Sequence, residues 1–193
     1  MSDAEVVLSI ALGVGLSAAT GFRLFVPMLI VSAVAYTGHL PLSDGFAWLG
    51  TPAALIMLAV AAVAEILAYY IPGVDNLLDT LAVPAALVAG TVVSAAVLTD
   101  LPPMLKWTTA IIAGGGAAAL TQGTTTALRA KSTLMTDGFG NAALATAELG
   151  GSLVLTVIAL AAPLIGLVLV ALFLWLAWRL YHKLSSQSPP QEP

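Results

Sequence analysis

Two apolar blocks dominate the chain. One runs from Val6 to about Tyr36, and the other, Asn141–Trp178, is nearly forty residues long. A helix needs about 20 apolar residues to cross a hydrocarbon core. Each block is therefore long enough for more than a simple span, and the fold they demand is helical, with lipid as its outer solvent. The overall balance agrees: 60% of residues are hydrophobic and 8% charged, with mean hydropathy +1.02. A soluble domain carries about 25% charged residues. A chain of 193 residues has room for one compact unit.

Composition also narrows function. The net charge of −4 resides in few groups and there is no basic run, so nucleic acid is not an expected partner. With no cysteine, disulfides, thiol redox chemistry and Cys-based metal sites are excluded. Asp3 and Glu5 stand where a signal peptide needs positive charge, so the first apolar segment is expected to be kept. No metalloprotease, nucleophile-elbow, P-loop or dinucleotide motif is present. Neither catalytic residues, nor a metal, nor a cofactor is expected.

The spans follow from the breaks. In the first block Arg23 and Pro27 interrupt the run, giving either one kinked helix or two half-helices meeting near Thr20-Gly21. Ala47–Ile71, Leu81–Leu98 and Lys106–Ala130 are the next three spans, separated by GHLPLSDG, PGVDN and TDLPP. RAKSTLMTDGFGN is expected to be a loop or broken segment. AAPLIG at Ala161–Gly166 divides the last block into two helices. The expectation is an all-α polytopic membrane protein of about six transmembrane helices, with broken or re-entrant segments. Residues 1–193 form one domain, with halves 1–101 and 102–193 and a disordered tail from about 185 to 193. Six spans put both termini on one side, together with Arg129, Lys131, Arg179 and Lys183, against Lys106 opposite. The positive-inside rule makes that side cytoplasmic, in a plasma (bacterial inner) membrane.

An internal echo suggests a repeat. GVGLSAATGF at Gly13–Phe22 is similar to GGAAALTQGT at Gly115–Thr124, and each half carries one span with a glutamate, Glu65 and Glu148. The glycines share one shift and the glutamates need another. Two inverted three-helix halves would be a plan common among transporters. Small-residue faces such as AIIAGGGAAAL also suit a homodimer.

The chemistry rests on a few polar groups. Ser9, Gly13, Ser17, Thr20, Arg23 and Pro27 share one helical face. A charge at the bilayer centre costs roughly 2.5–3.5 kcal/mol on insertion scales, so Arg23 should face protein or water. It could hold an anionic substrate group, pair with an acid, or snorkel to an interface. Gln122, Thr125, Thr126 and Arg129 form a second stripe. It could line a polar path, or it could bond between helices while Arg129 anchors at lipid phosphates. Glu65 and Glu148 could pair with arginine, with Arg23–Glu65 and Arg129–Glu148 as candidate pairs, or could couple to protons. In IPGVDNLLD, Pro72-Gly73 ends a span and Asp75 suits an N-cap. Asp79 lies one turn further in. Two acids make an incomplete cation site. Asn141 is the expected cap of the helix that follows TDGFGN.

At GFRLFVP, AEILAYYIPGVDNLLD and GNAALATAE the chain resembles a bacterial integral-membrane family called domain of unknown function 4126. The resemblance covers about Gly13 to Trp178. Glu65, Pro72, Gly73, Asp75 and Asp79 match the family's glutamate, IPGVD and aspartate pattern, and Asn141 and Glu148 match its later Asn-to-Glu pattern. Leu149 stands where members carry a second acid, and Tyr69-Tyr70 replaces a polar residue before IPGVD. The resemblance implies the architecture and these candidate residues, and no activity.

Three function classes follow. The first is a small transporter, channel or lipid flippase for an anionic or amphipathic substrate, coupled to protons through Glu65 or Glu148. The second is a non-transporting scaffold, assembly factor or subunit of a larger complex. The third is an intramembrane lipid enzyme using Asp79, Glu65 and Glu148, which has no motif behind it.

Overall fold

The computed structural model describes residues 2–71, 73–99, 101–136 and 139–185. All regular structure among them is helical. The order is α1 (Asp3–Thr20), α2 (Phe25–Tyr36), a 3₁₀ turn (Ala47–Gly50), α3 (Pro52–Ala68) and α4 (Val74–Val97). Then come α5 (Pro103–Thr109), a π-helical segment (Ala110–Gly115), α6 (Gly116–Thr136), α7 (Asn141–Ala161) and α8 (Pro163–Ser185). Met1, Pro72, Asp100, Asp137, Gly138 and the tail beyond Ser185 lie outside the described residues.

Local chemistry sets several boundaries. Ser2 and Glu5 form a reciprocal capping box at α1. Thr51 caps α3 through the Ala54 N–H, with Pro52 just inside. Pro163 separates α7 from α8, as AAPLIG suggests. α1, Leu77–Val97 of α4, and α7 are long and apolar enough to cross a membrane; α2, α3 and Pro163–Arg179 are shorter apolar helices. The outward faces are apolar, as at Ile56, Met57, Val60 and Val63 of α3 and Val154 and Val157 of α7.

The first block is neither a kinked span nor two half-helices in line. It is a hairpin. Ala19 meets Ser152, and Gly15 meets Ala159, so α1 runs antiparallel to α7. α8 runs beside α1 in the same direction, with Gly166 near Gly15 and Phe173 against Phe22. α2 turns back: Leu24 lies beside Glu65, and Ser32 beside Leu49. Thus α1, α3, α5–α6 and α8 point one way, and α2, α4 and α7 the other. The start of α1 and the end of α8 fall at opposite ends of the bundle, where an even number of passes would put them together. Twelve residues give α2 a length of about 18 Å at 1.5 Å per residue, which is why its reversal is easily read as a kink.

The inverted repeat is also corrected. Ser17 packs near Gly114, and Gly21 near Ala118 and Thr121. The two similar glycine segments therefore lie side by side and run in the same direction, whereas an inverted repeat needs opposite ones. Their likeness reflects close approach. Ser17 Oγ donates to Gly90 O at 2.7 Å, and Gly13 and Gly114 both face Ser94. This seam uses the AIIAGGGAAAL glycines Gly114 and Gly115 within the chain, so they do not form a free dimer face. Beside it, Leu16, Val31, Leu49, Val93 and Leu98 form a buried core. Finally, RAKST is helical, continuing α6 to Thr136. Ala, Arg and Lys favour helix, and Arg129 is held inward.

Candidate functional site

The turn between α1 and α2 builds the site. A Cβ at Gly21 would overlap the Ala118 carbonyl and lie 2.6 Å from Thr121 Cβ, so only glycine lets α1 end against α6. Leu24 sits at the N-cap of α2 and has no polar side chain to offer. Glu65 supplies it from α3: Leu24 N donates to Oε1 at 2.7 Å and Phe25 N to Oε2 at 3.0 Å. A carboxylate there satisfies two orphan N–H groups and meets the positive end of the helix dipole. Pro27 falls in the first turn, where a missing N–H is harmless. Arg23 lies between the helices and is only 1% exposed.

Arg23 Nη2 donates to Ala145 O at 2.9 Å, and Nη1 lies 3.2 Å from Glu148 Oε2. Arg129, also 1% exposed, donates through Nη2 to the same Glu148 oxygen. Its Nε lies 3.1 Å from Asp79 Oδ2. Both guanidinium carbons lie over the ring of Tyr69, Arg23 at 4.0 Å and Arg129 at 4.5 Å, in cation–π range. Glu148, 6% exposed, is thus the hinge of a buried network joining α4, α6, α7 and the α1–α2 turn. Several buried polar atoms here lack a hydrogen-bond partner among the described residues, among them Arg23 Nε, Arg129 Nη1 and Asp79 Oδ1.

The expected residues sort clearly. Arg23, Asp79, Arg129 and Glu148 come together, including the Arg129–Glu148 pair. The Arg23–Glu65 pair is replaced: Glu65 caps α2 and Arg23 turns to Glu148. Arg129 neither anchors at a surface nor counts as a topology charge, because two acids draw it inside. Asp75 is not the N-cap of α4. That position is Gly73, at φ +89°, a conformation glycine adopts without strain. Asp75 lies inside the first turn, where Oδ1 accepts from Gly73 N at 2.9 Å and Oδ2 from Asn141 Nδ2 at 2.9 Å. Asn141 likewise is not a cap. Gly140 holds that place, and the Asn141 amide also donates to Thr133 Oγ1 at 3.0 Å. Gln122 and Thr125 stay outside the ion network. Gln122 Nε2 donates to Thr126 Oγ1, and Thr125 Oγ1 to Gln122 O. Tyr69 was missed as a site residue. The aromatic pair before IPGVD is its only sequence signal.

A half-open cavity of about 260 Å³ adjoins the network between the α1–α2 turn, α6, α7 and α8. Its wall includes Phe22, Thr125, Leu128, Glu148, Gly151 and Phe173, and neither arginine.

These features define a class: an all-helical bundle with apolar outer faces and an arginine–carboxylate network inside. The family model described as Domain of unknown function (DUF4126) matches residues 10–183, and the chain belongs to that family. No curated protein and no solved structure matches it.

Proposed function

We propose that the protein is a multi-pass membrane carrier for an amphipathic substrate, with Glu148 as its moving part. One observation carries this reading: Glu148 is shared by two buried arginines and also forms part of the wall of an open cavity. A proton or substrate charge that engages Glu148 weakens two ion pairs at once, and those pairs tie the α1–α2 turn to α6 and α7. That gives a small event a route to helix movement. In this reading the short α2 and α3 lie within a multi-pass plasma-membrane bundle. The end bearing Lys131 and Arg179 faces the cytoplasm, and the end bearing Lys106 and the start of α1 faces away.

Proteoliposome flux tests it. Reconstituted protein should support proton-driven uptake or lipid scrambling of an amphipathic probe, and Glu148→Gln should uncouple it. Folded protein with no flux across a broad panel would sink the carrier.

A second reading is a static scaffold or assembly subunit. Its support is that both arginines are already neutralised within the bundle. Buried polar atoms without partners among the described residues weigh against it, since each costs about 1–3 kcal/mol in a purely structural role. Capture of one stoichiometric protein partner by the folded, flux-inactive chain would favour the scaffold.

A further inference from the structure

We propose that the cavity beside Glu148 takes a small organic cation, with its charged nitrogen on Glu148 and its apolar body against Phe22 and Phe173. The inference rests on Glu148 being the substrate-facing group and names the class of substrate. Three observations lead to it. First, the arginines bind Glu148 through Oε2 alone. Oε1 accepts no hydrogen bond among the described residues, although the side chain is 6% exposed. Second, Thr125, also on the wall, has given its hydroxyl proton to Gln122 O, so its oxygen can only accept. The polar part of the wall therefore asks for a donor. Third, Phe22 and Phe173 pack edge to face with centroids 5.0 Å apart and both line the cavity. Aromatic faces next to a carboxylate favour a cation.

An anionic group would have to displace Glu148 to reach Arg23 or Arg129, because neither arginine lies on the wall. A cation meets the acid directly. Size limits the ligand further. Pockets for drug-sized ligands hold roughly 300–1,000 Å³, and this one holds about 260 Å³. A single ring or short chain with an ammonium head fits the description.

The test uses the full chain in detergent and three probes of one size: benzylammonium, benzyl alcohol and benzoate, titrated by calorimetry at neutral pH. Benzylammonium should bind saturably, at least tenfold more tightly than either analogue. Glu148→Gln should remove that preference, and Phe173→Leu should weaken cation binding about threefold to tenfold. Misfolding of Glu148→Gln leaves the test standing, because a second variant keeps the network intact. A Cβ at Gly151 would have the Phe22 ring nearest, at an ordinary contact distance of 3.9 Å, so Gly151→Leu fills the cavity while improving helix propensity. It should abolish cation binding with no loss of thermal stability. Equal binding of the three probes, a preference for benzoate, no saturable binding of benzylammonium, or unchanged binding in Gly151→Leu would each overturn the inference. Benzylammonium flux into proteoliposomes separates this from the carrier reading. Binding without flux keeps the site and removes the carrier, while flux of another substrate without cation binding does the reverse.

Discussion

The two ends of the bundle are held by different physics. At one end α4, α6, α7 and the α1–α2 turn are joined by charge: Arg23, Asp79, Arg129 and Glu148 around Tyr69. Toward the other, α1, α4 and the π segment meet through glycine and serine, with Gly13 and Gly114 against Ser94 and Ser17 bonded to Gly90. The seam is dense and leaves its groups little alternative arrangement. The network leaves polar valences open and touches a cavity. Rigid packing at one end and exchangeable pairing at the other is an arrangement in which motion can be confined to the charged end.

The largest expected effect breaks the charged end. Arg129→Ala leaves Asp79 and Glu148 facing each other without their shared cation. Removing one member of a buried ion network costs about 3–5 kcal/mol. Unfolding by SDS titration in mixed micelles, followed by circular dichroism, should show a loss of that order. A loss below about 1 kcal/mol would mean that the network contributes little to holding the helices together.

The seam is probed by two neighbouring glycines. A Cβ on Gly115 would lie 2.5 Å from Thr91 Oγ1 and 3.0 Å from Leu87 O, while one on Gly116 meets nothing within 4 Å. Gly115→Ala should destabilise by about 1–3 kcal/mol through overpacking. Gly116→Ala should stabilise by up to about 1 kcal/mol through helix propensity. The same SDS titration reads both. Equal effects at the two positions would remove the claim that the seam depends on close backbone approach.

The ease of reading these two ends from sequence differs as well. Composition and spacing carry burial: the Gly13, Ser17 and Thr20 part of the small-polar face, the apolar blocks and the AAPLIG break reappear, because each depends on residues near in sequence, whereas Arg23 and Pro27 leave that face where the chain reverses after Thr20. Pairing is another matter. Arg23 and Glu148 are far apart in sequence, and nothing local to Arg23 separates Glu65 from Glu148 as its partner. The reversal at Gly21–Leu24 decides it, and the pressure on Gly21 comes from α6. The similarity of Gly13–Phe22 to Gly115–Thr124 misled for the same reason, since close packing alone selects small residues on both strands of a contact. Asp75 and Asn141 lie within one or two residues of the expected caps, and their side chains bond each other across α4 and α7.

The smallest effect concerns Glu65, which sits beside the network while serving backbone. Glu65→Gln keeps one carbonyl oxygen for Leu24 N or Phe25 N and turns an N–H₂ toward the other. It also removes the negative charge at the start of α2. Lost capping and dipole terms together predict a loss of about 1 kcal/mol, measured by the same titration, with little change in flux or cation binding. Leu24 is the local cap position and carries no polar atom of its own. Leu24→Ser in the Glu65→Gln background should recover little of the loss, because the backbone at Leu24 is helical and a hydroxyl there reaches neither the Leu24 nor the Phe25 N–H, while Pro27, three residues on, has no N–H to offer. A Glu65→Gln loss of about 1 kcal/mol with flux unchanged would identify Glu65 as a remote cap. A collapse of flux in Glu65→Gln with stability unchanged would instead move Glu65 into the exchangeable end, alongside Glu148.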